Sequence, residues 1–196
     1  VLVAHKDTPW NTLEEMVDYA KKNPGKIKYA SSGPGTTTHI AIEGFAYAAG
    51  IKLTHVPFKG CAKAITGLLG KHVSLFGSIP SESFQYLKTG DMKALAVFTE
   101  ERLPEIPEVP TLKEKGIDFA DSSTRALFIP KNTPAEVKKA LHDGFKQTMD
   151  DKSFQAMFKK LSEPVSYMDG DSFQDILSRQ KVFYGEVLEK VGLKKK

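Results

Sequence analysis

The chain holds one cysteine, Cys61, in 196 residues, so no internal disulfide can form. No run approaches the ~20 apolar residues that a membrane helix needs, and no signal-peptide pattern opens the chain. Five histidines, His5, His39, His55, His72 and His142, show no metal-ligand spacing such as H-E-x-x-H. A G-x-S-x-G nucleophile elbow is missing, as is a convincing carboxylate pair. The phosphate loop G-x-x-x-x-G-K-[ST] is also missing: Lys26 and Lys71 follow glycines, but Ile27 and His72 come next. Cys61 has no partner signature and reads as a small helix-start residue rather than a nucleophile. These absences count against metal, nucleophilic and nucleotide chemistry.

What is present is enough for a folded body. Hydrophobic residues make up 40% of the chain, which allows one ordinary domain or two small ones. The net charge is +4, and Lys194 to Lys196 supply much of it as a basic tail. Elsewhere acids and bases mix along helix faces, as in "EEMVDYAKK". That is a solvated surface rather than a nucleic-acid footprint, which needs clustered bases with stacking aromatics.

Val1 to Ala4 reads as a strand that begins without punctuation, as the middle of a longer chain would. Thr12 and Glu15 fit a capping box before a helix with Leu13, Met16, Val17 and Ala20 on one face. Pro24 and Gly25 end that helix. "KIKYAS", "KLTHVPF", "HVSLFGS" and "MKALAVFT" read as strands, separated by helices over "THIAIEGFAYAAG", "KGCAKAITGLLG" and "PSESFQYLKTG". Strands alternating with helices predict an open α/β sheet with short connections. The proline-broken stretch "ERLPEIPEVPTLKEKG" reads as a linker with a short helix near Thr111 to Lys115. The main boundary is expected near Ser122 to Thr124. Beyond it, "ALFIP" and "EPVSYM" are expected strands. Three helices are expected: one capped by Thr133 with Pro134 in its first position, one over "SFQAMFKKL", and a long final one. Phe173, Ile176, Leu177, Phe183, Val187 and Leu188 supply much of the last helix's apolar face.

The segment "SSGPGTTTH", Ser31 to His39, joins a strand to a helix. Gly33 and Gly35 allow backbone shapes closed to other residues. Thr36, Thr37 and Thr38 stand where the helix starts, so amides and helix dipole favour a negative ligand. In an open α/β sheet, ligands bind beyond the carboxyl ends of strands, where this loop lies. A tight turn with an N-cap and no ligand fits equally. A dinucleotide fingerprint wants a third glycine where Thr38 stands, which favours a carboxylate over a di- or triphosphate. Lys59 and Gly60 end another strand and could bring a charge and an open backbone. Ser78 and Ser81 flank Pro80 at a third helix start. His39 is the one histidine beside the candidate cradle.

In order, "TLEEMVDYAKKNPGKIKYASSGPGTTTHIA", "HVPFKG", "AITGLLG", "FGSIPS", "LKTGDMKALAVFT", "LPEIPEVPTLKEKG" and "NTPAEV" resemble the substrate-binding receptors of tripartite tricarboxylate transporters, the Bug family. The ordered set spans essentially the whole chain. The resemblance implies a two-lobed α/β fold similar to type II periplasmic solute-binding proteins. It implies a periplasmic or surface-anchored protein without catalysis or cofactor that closes on a small carboxylate and delivers it to membrane permease subunits. By resemblance, main-chain amides grip the acid with help from water, placing the site at Ser32, Gly33, Gly35, Thr36, Thr37, Thr38, His39, Lys59, Gly60 and Ser78.

The resemblance also implies that residues 1–124 form the second lobe. Residues 125–196 would be the returning part of the first lobe, ending in a long helix. The first part of that lobe is then expected outside this chain, leaving apolar faces that favour self-association. Cys61 stands where the family usually has a glycine, and Gly77 where an aspartate is common. "STRAL" around Thr124 replaces a tryptophan-containing stretch, and Arg125 could contact an acidic ligand or the other lobe. Two rival functions are an effector-binding domain of a transcription regulator and an enzyme acting on a phosphate or acyl substrate.

Overall fold

A computed structural model describes residues 1–161, 163 and 165–190; the basic tail, Lys194 to Lys196, lies outside the described residues. The chain divides into two compact units. One is Val1–Ser123 together with the segment that begins at Arg179; the other is Thr124–Ser178.

The first unit is built on five strands: β1 (Leu2–His5), β2 (Lys28–Ser31), β3 (Thr54–Pro57), β4 (Leu75–Gly77) and β5 (Met92–Ala96). Four helices connect them: α1 (Leu13–Lys22), α2 (Thr37–Ala48), α3 (Cys61–Leu69) and α4 (Pro80–Lys88). The strands line up as β3-β2-β4-β1-β5. β2 runs parallel to β3 and β4, while β1 runs antiparallel to β4 and β5. The open α/β sheet predicted from sequence is therefore present, with one reversed strand near its middle.

Alternation along the strands explains the two-sided core. Leu2, Ala4, Tyr29 and Leu75 face one apolar layer with Met16, Ile42 and Phe45. Val3, Ala30 and Phe76 face the other with Ile65, Leu68 and Phe84. The helices form where their caps and spacing say. The Thr12 hydroxyl accepts the Glu15 amide, although the Glu15 carboxylate takes the Asn11 amide rather than that of Thr12 itself. Pro80 occupies the first position of α4, where its missing N–H costs nothing. The linker closes on a short 3-10 turn, Lys113–Lys115.

In the second unit, α5 (Ala135–Asp150) and α6 (Lys152–Lys160) follow each other closely, and α7 (Gly170–Lys190) starts here and ends in the first unit. Two expected strands do not form. Ala126–Pro130 has no ladder, and the described residues of "EPVSYM" have none either; Pro164 lies outside the described residues. A strand needs a neighbour for its amides and carbonyls, and none is paired here among the described residues. Thr133 does not cap α5: its hydroxyl donates to the Pro130 carbonyl, and Pro134 takes the cap position instead of the first helical one. The start of α6 is properly capped, with the Asp151 carboxylate accepting the Ser153 and Phe154 amides.

Candidate functional site

The parallel registers align the carboxyl ends of three strands. Ser31 pairs with Pro57, and Ala30 pairs with Phe76. The loops that leave β2, β3 and β4 therefore share one edge of the sheet. Two hydrogen bonds lace the first two together, Phe58 N–H to the Ser31 carbonyl (3.0 Å) and Gly60 N–H to the Ser32 carbonyl (3.0 Å). Gly60 adopts φ of 100°, a region that L side chains rarely enter. The edge assembles Ser32 through His39, Lys59, Gly60 and Ser78 in one neighbourhood.

Most polar groups of the first loop are already spent on the loop itself. The Ser31 hydroxyl sits between the Gly33 amide (3.2 Å) and the Gly33 carbonyl (3.1 Å). Thr38 Oγ1 accepts the Ser32 amide at 2.9 Å and lies within reach of the Ser32 and Thr36 hydroxyls. The Gly33 carbonyl accepts both the Thr36 amide and the Thr36 hydroxyl. His39 Nδ1 accepts the Gly35 amide at 3.0 Å. What remains are the amides of Thr37 and Thr38, the first two positions of α2, which have no acceptor among the described residues. Thr37 is exposed, and Thr38 is buried with its hydroxyl turned into the loop.

Around this pair, Lys59 is exposed and has no ion-pair partner among the described residues. Ser78 is buried; its amide donates to the Val1 carbonyl and its hydroxyl to the Ile79 carbonyl. Gly77 explains part of its own identity. A Cβ there would stand 3.0 Å from the Ile42 side chain and 3.3 Å from the Thr38 carbonyl. The Cys61 thiol touches Glu82 and Ser32, and its pKa rises to about 11, first through burial and then through the Glu82 carboxylate. At such a value it stays protonated and is a poor nucleophile. Arg125 is committed elsewhere, with its guanidinium 2.6 Å from the Glu163 carboxylate.

Beneath the loop lies a polar stack that sequence reasoning did not assemble. Tyr29 and His55 are cross-strand partners, and their rings stack at 5.0 Å. The His39 ring lies on His55 at 3.8 Å. His55 Nε2 is 2.6 Å from the Ser31 hydroxyl, and the Tyr29 hydroxyl binds Glu43. Ser31 and His55 stand at the distance of a nucleophile and its base, but Ser31 is fully buried and its oxygen is fixed on the Gly33 peptide. The pair is a brace for the loop. The signal that could have shown it is the register of β2 against β3, which puts Tyr29 beside His55. Among the described residues, no group of three histidines, cysteines or acids could hold a metal.

Comparison with known proteins agrees with this architecture. Residues 1–193 match the model of the tripartite tricarboxylate transporter family receptor, TctC. The UPF0065 protein in the gbd 5′ region of Cupriavidus necator is 34% identical over 99% of this chain, which covers 59% of that relative. A TctC solute-binding protein from Polaromonas, solved without ligand, is 31% identical with a TM-score of 0.84, covering 96% of this chain and 65% of its own. An R. palustris protein solved with adipate is 25% identical with a TM-score of 0.78, covering 98% of this chain and 64% of its own. The chain thus spans about three-fifths of its curated relative's length. The laced loops, the two-sided α/β sheet and these matches lead to one statement: the chain belongs to the TctC family of tripartite tricarboxylate transporter receptors and has the α/β fold of periplasmic solute-binding proteins.

Proposed function

We propose that this chain is the part of an extracytoplasmic receptor that grips a small organic acid and presents it to the membrane permease of a tripartite tricarboxylate-type transporter. One observation carries the reading: two unpartnered amides at the start of α2 stand on the sheet edge where the loops after β2 and β3 are laced together. Oriented amides at a helix start bind an anion without a matching buried cation. The uncommitted Lys59 adds positive charge at the rim. Water between amides and ligand would tolerate varied acid tails. The adipate held by the R. palustris relative supports an acid ligand, and the family match supports a receptor over a regulator or an enzyme. Exposed Phe128, Phe145 and Met157 also favour association between copies of this chain, which light scattering reads directly; a monomer at every concentration would count against it.

Calorimetry with adipate and shorter di- and tricarboxylates tests the site. Thr37→Pro removes one amide at a position where proline suits a helix. Thr36 already has φ −77° and ψ 164°, the shape favoured before proline. Loss of a hydrogen bond to a charged group is expected to weaken binding about 10- to 100-fold. Lys59→Ala should cost less, about fivefold or under, because an exposed cation is screened. Equal affinity of the wild type and a folded Thr37→Pro variant would sink the amide cradle.

A further inference from the structure

The loop that offers the two free amides is held by its own hydrogen bonds, and two of those lead to a pair of imidazoles. Its two glycine amides are consumed from below, and each chain of contacts ends on an imidazole. Gly35 N–H donates to His39 Nδ1 at 3.0 Å. Gly33 N–H donates to the Ser31 hydroxyl, which in turn is 2.6 Å from His55 Nε2. The two imidazoles lie nearly flat on each other, with centroids 3.8 Å apart and planes inclined by 16°. His39 is buried at 4% exposure, so its ring is packed in place beneath the loop.

The hydrogen bond from Gly35 fixes one protonation state. Nδ1 of His39 accepts a proton donor, so it cannot itself carry a proton. Neutral His39 then holds its hydrogen on Nε2, the atom that faces Glu43 Oε1 at 3.9 Å. A second proton on His39 would set two donors against each other over 3.0 Å and break the bond to Gly35. A proton on both rings would bring two cations face to face at stacking distance. The other groups that face the stack are Tyr29 and Ser31 from β2 and Glu43 from α2. Glu43 is the one carboxylate among them, and it is also engaged by the Tyr29 hydroxyl.

We propose that His39 and His55 are positioning residues: as neutral rings they hold the Ser31–Thr38 loop in the shape that presents the Thr37 and Thr38 amides to an acid ligand, an assignment that rests on the carboxylate reading above. Their surroundings favour the neutral form. Burial lowers the His39 pKa below its ordinary 6.5, with Glu43 pulling weakly the other way. His55 falls to about 4, first through burial and then through His39. Presentation of the amides is therefore lost on acidification, in a window below neutrality.

Ring-nitrogen NMR on 15N-labelled protein tests the coupling without any ligand. The expected result is the Nε2–H tautomer of His39 at pH 7.5 and a Gly35 amide shift that follows the His39 titration. An Nδ1–H tautomer, or a Gly35 amide indifferent to that titration, overturns the proposal. Adipate binding supplies the second readout. His39→Phe keeps a stacked ring but removes the acceptor, and should weaken binding about tenfold and flatten its pH dependence. His39→Asn restores an acceptor that does not titrate, so it should recover part of the lost affinity and lose less of it than the wild type as pH falls from 7.5 to 6. A pH profile unchanged in both variants overturns the proposal. If the Gly35 coupling holds while no carboxylate binds at any pH, the rings do position the loop, and the carboxylate reading is what fails.

Discussion

The two units of the chain share one kind of sequence and reach different ends. In Val1–Ser123 the apolar residues of strands and helices vanish from solvent: Leu2, Tyr29, Phe45 and Phe76 are fully buried. In Thr124–Ser178 no described residue is buried, although α5 and α6 carry apolar stripes of the same spacing. Val137, Leu141 and Phe145 of α5 remain between 42% and 49% exposed. An amphipathic stripe states which face needs cover; it does not provide the cover. Hydrophobic stabilisation scales with area removed from water, so identical patterning yields a core in one unit and an open face in the other.

Truncating matched phenylalanines gives the largest contrast. Phe45→Ala empties a site at 0% exposure and should cost about 3–5 kcal/mol in denaturant unfolding. Phe145→Ala, at 49% exposure, should change stability by under about 1 kcal/mol. Similar losses in both would break the comparison. Glycines sharpen it next. A Cβ on Gly67 would lie 2.3 Å from the Phe58 ring, whereas one on Gly144 meets nothing within 4 Å. Gly67→Ala should therefore destabilise by about 1–3 kcal/mol, while Gly144→Ala in mid-helix should stabilise by about 0.5–1 kcal/mol.

Acid should act on the first unit through its buried rings. His39 and His55 titrate below 6.5 when folded, so the unfolded chain binds more protons as pH falls beneath that value. Their contribution is full above about pH 6.5 and is lost progressively toward pH 4. Amide protection factors in β2, β3 and α2 should fall across that window, and less so in a His39→Asn, His55→Asn double variant. A fall of the same size in the double variant would assign the effect to other groups. The smallest effect expected is at a cap. Asp151→Ala frees two amides at the start of α6 and should cost about 1 kcal/mol, read as local exchange in α6 rather than a shift of the whole transition.

Much of the fold was legible because it depends on neighbours in the chain. The Thr12 cap, Pro80 at a helix start and the alternation of strands with helices are all short-range signals. The two strands expected at Ala126–Pro130 and in "EPVSYM" had the right composition, yet a strand also needs a paired edge, which composition does not report. The candidate loop was legible as a glycine turn at a helix start. Its chemistry was not. Reading "SSGPGTTTH" as a row of free donors overcounts, because His39, eight residues from Ser31, takes the Gly35 amide, and the Ser31 and Thr38 hydroxyls take those of Gly33 and Ser32.

By itself, then, the sequence determined where most helices begin and end, which faces are apolar, and that Ser31–His39 joins strand to helix at the edge where such sheets bind ligands. Only the tertiary structure decided that β1 runs against its neighbours, that His55 comes to lie under a loop 24 residues away, and that the Thr37 and Thr38 amides have no acceptor among the described residues. The physical reason is range. Caps, turns and amphipathic faces are set by residues within a few positions. Strand direction, ring stacking and the final allocation of hydrogen bonds are set by contacts that exist only once distant segments have met.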